Sequence, residues 1–156
     1  MIVVNNGDFR SVVHSEIERL GNEADLNHID VSDVTNMWGL FNGSDFNGDI
    51  SNWDVSNVEN MGYMFSKSKF NQDISNWDVS NVENMYSMFS NTPFNQDIRS
   101  WNINLKNIKE EPDGFENSGN KFIESLFKAY KNNNKNDIDN LSRKIYINHI
   151  RKRLKI

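Results

Sequence analysis

Phe46-Asn47-Gly48-Asp49-Ile50-Ser51-Asn52-Trp53-Asp54-Val55-Ser56-Asn57-Val58-Glu59-Asn60-Met61 returns 24 residues later as Phe70-Asn71-Gln72-Asp73-Ile74-Ser75-Asn76-Trp77-Asp78-Val79-Ser80-Asn81-Val82-Glu83-Asn84-Met85. Phe46, Phe70 and Phe94 keep this period, as do Trp53, Trp77 and Trp101, Met37, Met61 and Met85, and Phe41, Phe65 and Phe89. The pattern begins earlier, where Asp25 to Ser32 aligns with Asp49 to Ser56 and Ile29 takes the Trp slot. It fades after Trp101, where Asn102-Ile103 replaces Asp-Val and Lys109 falls in the next Met slot. The array therefore covers residues 25–115 in about four coils. A coil this short cannot bury an apolar face by itself, so it must stack on its neighbours.

Within a coil, Ile50-x-x-Trp53-x-Val55-x-x-Val58 has leucine-rich-repeat spacing. Trp53 and Val55 alternate with Asn52 and Asp54, as in a strand with one face inward. Ser56-x-x-Glu59 and Ser80-x-x-Glu83 read as capping boxes. The spacing then predicts a helical turn that turns Met61, Met64 and Phe65 inward, and Ser66 to Lys69 form a loop back to Phe70. The fold class expected is α/β: a leucine-rich-repeat-like solenoid with a short parallel sheet, an N-terminal capping helix and a C-terminal helical tail.

Solenoids need terminal caps. Residues 1–24 supply one as a helix over Asp8 to Leu20, with Phe9, Val12, Val13, Ile17 and Leu20 on one face and Gly21 as its stop. Residues 116–156 supply the other, as amphipathic helices over Asn120 to Tyr130 and Asp137 to Lys155 joined by a polar linker. Charge divides along the same lines. Residues 25–105 carry 11 acids and 3 bases, whereas residues 106–156 carry 12 bases and 7 acids. An acidic body with a basic tail predicts two different contact surfaces.

The run Phe-Asn-x-Asp-Ile-Ser-x-Trp-Asp-Val-Ser-Asn-Val-x-x-Met-x-x-Met-Phe resembles the BspA-like leucine-rich-repeat surface protein family, and the lead-in Ala24 to Asp30 resembles that family's N-terminal cap. The resemblance covers residues 8–105. It implies a solenoid that binds protein and performs no catalysis, in a family found in bacterial surface proteins and in phage and viral genomes. The chain departs from that pattern in lacking a signal peptide or lipobox and in carrying the basic tail.

Composition narrows the chemistry. The 156 residues contain no Cys, which excludes disulfides, iron–sulfur clusters and Cys-based zinc sites. No apolar run approaches the roughly 18 residues of a membrane span, and the N-terminus has no signal-peptide pattern. These features predict a soluble cytoplasmic chain, in the host cytoplasm if the protein is viral. His14, His28 and His149 are scattered, and no Ser-His-Asp spacing or glycine-rich phosphate loop stands out. Asp45-x-Asn47-x-Asp49-x-Ser51 resembles half of a calcium loop but lacks its distal Glu. Neither an enzyme nor a cofactor is expected.

The first candidate partner face is the outward row His28, Asp30, Asn52, Asp54, Asn76, Asp78 and Asn102. Carboxylates stacked about 4.8 Å apart repel unless solvated, hydrogen-bonded or neutralised by a basic partner. The competing reading is that each Asp orders its own turn. The second candidate is the basic tail: Arg143, Lys144, Arg151, Lys152, Arg153 and Lys155. The leading expectation is a protein-interaction module, in a phage or viral setting a binder of a host protein. The alternatives are a nucleic-acid-related role, by acidic DNA mimicry or through the basic tail, and a bacterial surface adhesion repeat. Self-association through a terminal coil or tail helix is a further expectation.

Overall fold

A computed structural model of the chain describes residues 1–104, together with Ser125 and Lys128. Three regular elements lie in its first third: strand β1 (Ile2–Asn5), helix α1 (Phe9–Leu20) and strand β2 (Ile29–Asp33). β1 and β2 pair in parallel, with Ile2 opposite Ile29 and Val3 opposite Asp30. The capping helix thus starts and stops where the sequence places it. Gly21 ends it at φ 94, a conformation that only glycine takes without strain, and its N–H bonds the Ile17 carbonyl. Phe9 and Val13 are buried, but Leu20 is exposed, and the buried residue on its side of the helix is Glu16. The sequence reading gave β1 no role; it is the outermost parallel neighbour of the repeat.

From Met37 onward the chain is held by hydrogen bonds that repeat with the sequence period. Met37, Gly39, Phe41 and Gly43 N–H groups donate to the Asn60, Gly62, Met64 and Ser66 carbonyls at 2.8–2.9 Å. One unit later, Met61, Tyr63, Phe65 and Lys67 donate to Asn84, Tyr86, Met88 and Ser90 at 2.7–3.0 Å. Side chains follow the backbone register. Phe41, Phe65 and Phe89 stack at 5.5 and 5.6 Å with interplanar angles of 9° and 8°. Phe46, Phe70 and Phe94 stack at 6.4 and 6.3 Å. Each Trp also reaches back one unit: the indole N–H groups of Trp53, Trp77 and Trp101 donate to the Leu26, Ile50 and Ile74 carbonyls at 3.0, 3.2 and 2.9 Å. Ile29, in the Trp slot of the first unit, is equally buried.

Two local expectations fail. Between Met37 and Asn104 no residue lies in a named strand or helix; the units meet at isolated parallel bridges, Asn36 with Asn60 and Asn60 with Asn84. The reason is that side chains close the backbone into turns every few residues. Asp49 accepts from Ser51 N–H, Asp54 from Ser56 N–H and Asn60 from Gly62 N–H, which leaves no stretch long enough to extend as a strand. The capping boxes do not form either. Ser56 Oγ donates to Asp54 Oδ1 at 2.6 Å, and Glu59 N–H donates to the Thr35 carbonyl of the preceding unit. In place of the helical turn stand consecutive four-residue turns, Met64 N–H to Met61 C=O and Ser68 N–H to Phe65 C=O. Their third residues, Tyr63 and Lys67, take positive φ of 54° and 56°, as type II turns require. Met61, Met64 and Phe65 still point inward and are fully buried. Among the described residues, no helix is long and apolar enough to cross a membrane.

Candidate functional site

The outward row chosen from sequence does lie at the surface. Asn52, Asp54, Asn76, Asp78 and Asn102 are exposed, and His28 and Asp30 are partly so. Its members have defined local partners. Asp30, Asp54 and Asp78 each accept the N–H of the Ser two residues on, at 3.1, 3.1 and 3.0 Å. The Ser32 hydroxyl and N–H hold the Asp30 carboxyl below its ordinary range. Asn52 N–H donates to Asn27 Oδ1 at 2.8 Å. Next to the row, Asn57 and Asn81 amides donate to the Ser32 and Ser56 carbonyls of the unit before. This geometry gives the Asp residues a turn-ordering role and leaves Asp54 and Asp78 with solvent-facing carboxylates.

His28 stands apart from this row, because it points to α1. Its Nε2 lies 2.7 Å from Glu16 Oε2, and Arg19 grips the same carboxylate at 2.6 Å. Hydrogen bonds from Arg19 and then from His28 pull the Glu16 carboxyl from 4.5 down to about 2. The cluster fastens the capping helix to the first unit.

The remaining sequence candidates divide in two. The half calcium loop does not converge: Asp45 pairs with Lys69 at 2.8 Å, Asn47 Oδ1 accepts from Asn71 N–H, and Asp49 accepts from Ser51 N–H. Among the described residues, no group of three or more His, Asp or Glu is placed to hold a metal ion. The tail cations Arg143, Lys144, Arg151, Lys152, Arg153 and Lys155, and the 137–155 helix, lie outside the described residues.

A second surface feature escaped the sequence reading. Trp38 is 41% exposed, the largest exposed apolar side chain among the described residues. Tyr63 meets it edge to face at 4.9 Å, and Tyr86 meets Tyr63 the same way at 5.1 Å. The row rises through three successive units. Trp38 lies over Gly62, where an added Cβ would come within 2.4 Å of its ring. The signal was present in the sequence as an aromatic one or two places after Met37, Met61 and Met85, but the shift of one place at Tyr63 breaks the period.

The N-terminal segment completes the first unit's hydrogen bonds. Arg10 donates to the Trp38 and Gly39 carbonyls, and His14 Nε2 lies 3.0 Å from the Leu40 carbonyl. Trp38 and Leu40 occupy the slots of Gly62 and Met64, whose carbonyls accept N–H groups from the preceding unit. Asn6 Oδ1 accepts the Thr35 and Asn36 N–H groups at 3.0 and 3.2 Å. In the next two units the equivalent pairs, Glu59 with Asn60 and Glu83 with Asn84, donate to the Thr35 and Glu59 carbonyls. Side chains of Asn6, Arg10 and His14 thus take the place that backbone groups take between the later units.

No curated protein and no solved structure matches the chain. A family model described as "Mycoplasma protein of unknown function, DUF285" matches residues 9–126, and the chain belongs to that family.

Proposed function

We propose that the chain is a short leucine-rich-repeat-like solenoid, related to the BspA-like repeats, and that it serves as a non-enzymatic module binding a protein partner. The observation that carries this reading is the 24-residue hydrogen-bond register, Met37 to Asn60 and Met61 to Asn84, which holds equivalent side chains in rows. Rows on a rigid, repeated backbone present an extended surface whose geometry is fixed before a partner arrives, and preorganisation of this kind lowers the ordering cost of binding. The solvent-facing Asp54 and Asp78, with Asn52, Asn76 and Asn102 beside them, give that surface an acidic edge suited to a basic or polar partner.

Affinity purification with mass spectrometry tests the reading on three forms: wild type, Asp30, Asp54 and Asp78 all changed to Asn, and the same three changed to Lys. Asn retains the side-chain acceptor for the Ser N–H and removes the charge, whereas Lys removes both. The expected result is one specific partner with wild type, lost with both variants while circular dichroism of the Asn form is unchanged. A wild-type chain that retains no specific partner refutes the module. A folded Lys form that retains the partner removes this row from it.

A further inference from the structure

From the aromatic row we infer that Trp38, Tyr63 and Tyr86 form the platform on which the partner docks a cationic segment bearing Arg or Lys side chains. This rests on the interaction-module reading and specifies its contact surface. Three aromatic rings from successive units touch edge to face at 4.9 and 5.1 Å, with Trp38 41% exposed and Tyr63 and Tyr86 partly exposed. The other three Trp are at most 4% exposed, so core packing does not account for the position of Trp38. Its seat is built: Gly62 leaves the space that the ring covers, and Arg10 fixes the Trp38 and Gly39 carbonyls beneath it.

Charge selects the occupant. Residues 25–104 hold 11 acids and 3 bases. Two of those bases, Lys69 and Arg99, are paired locally with Asp45 and Asp97. The exposed Glu59 lies four residues before Tyr63. An aromatic face attracts a cation through the negative potential above the ring, Trp and Tyr more than Phe. A surrounding field of acids adds to that attraction and repels acidic partners.

The test uses the full chain and three synthetic probes: octa-arginine, octa-lysine and octa-glutamate. Binding is followed by calorimetry and by tryptophan emission, to which the exposed Trp38 contributes the solvent-sensitive part; Trp38→Phe provides the blank for that signal. Octa-arginine is expected to shift the emission and to bind more tightly than octa-lysine, with octa-glutamate silent. Tyr63→Leu and Tyr86→Leu keep apolar bulk and remove the ring, and each is expected to weaken octa-arginine two- to fivefold. Equal affinity in the Leu variants, which would mark a purely ionic contact, overturns the platform. So does an emission shift produced by a neutral oligosaccharide such as maltohexaose and not by octa-arginine. The natural partner separates the two levels of the reading. A partner captured equally by wild type and by a folded Trp38→Ala, Tyr63→Leu, Tyr86→Leu triple variant overturns the platform and leaves the module standing. Absence of any partner in both overturns the module itself.

Discussion

Replacing Trp77 with Phe measures how much the indole ladder holds successive units together. Trp77 is 3% exposed; its ring stacks on Trp101 at 6.5 Å with an interplanar angle of 6°, and its N–H donates to the Ile50 carbonyl at 3.2 Å. That carbonyl also accepts the Trp53 N–H at 3.2 Å, so the substitution does not orphan it. The polar loss is therefore the net worth of one hydrogen bond, about 1 kcal/mol, and not the larger penalty of a stranded buried acceptor. Phe also buries about 40 Å² less apolar surface, worth about 1 kcal/mol. The void left in the stack adds some tenths more, for a sum of about 2–3 kcal/mol. In a chain of this length that corresponds to a fall in melting temperature on the order of 5–10 °C. Urea unfolding followed by far-ultraviolet circular dichroism gives the value without relying on the altered chromophore. Trp38→Phe, at the surface, is the reference and should stay within about 0.5 kcal/mol of wild type. A loss at Trp77 no greater than at Trp38 would refute the reasoning, because it would mean that the buried indole row contributes nothing beyond what an exposed ring does.

Four further outcomes follow from named contacts. Gly48→Gln brings the unit into agreement with Gln72 and Gln96, yet it should destabilise by about 1–3 kcal/mol in thermal melts, because an added Cβ would sit 2.0 Å from the Ala24 carbonyl oxygen. Gly43→Ala should cost about 1–2 kcal/mol in urea unfolding, since Gly43 has φ 69. Asn6→Ala withdraws the acceptor shared by the Thr35 and Asn36 N–H groups and should cost about 1–2 kcal/mol, with faster amide exchange at those two positions as the local signature. Glu16 titrates near 4.5 when unfolded and about 2 when folded, so its contribution is complete above pH 4.5 and is lost as pH falls from there towards 2. Acid melts of Glu16→Gln should show a shallower decline across that window than wild type.

The parts of this fold that sequence reveals are those repeated in it. Phe46, Phe70 and Phe94, or Trp77 and Trp101, could be placed in stacked rows from the period alone, because one period fixes which residue lies on which. What failed was the conformation between the rows. A Trp-Asp-Val alternation fits a strand and a Met-x-x-Met-Phe spacing fits a helix, but both patterns report only which side chains point inward. The competing influence was local: Asp54, Asn60 and Ser68 bond backbone N–H groups two residues on, which favours turns over either regular element. The clue was in the first unit, where Gly39 and Gly43 occupy the slots that become left-handed at Tyr63 and Lys67. The same contacts changed the status of the Asp row. The sequence could show three carboxylates in register, but not that each accepts from its own Ser.

The cap shows why the first unit departs most from the repeat. In the interior, the backbone carbonyls and N–H groups that join units find partners in the same backbone 23 to 25 residues away. In the first unit β1 pairs with β2 but stops short of the stretch from Thr35 to Leu40, so the Trp38 and Leu40 carbonyls and the Thr35 and Asn36 N–H groups must find partners elsewhere. Arg10, His14 and Asn6 meet three different needs: a forked donor for adjacent carbonyls, a ring nitrogen for a single carbonyl, and one amide oxygen for two N–H groups. None of these residues can be read off the repeat, because they replace main chain and not side chain. A backbone edge closed in this way is also an edge withheld from other chains. Replacements at Asn6, Arg10 and His14 are therefore expected to be limited by hydrogen-bond identity, whereas replacements in the buried slots of the interior units are expected to be limited mainly by shape.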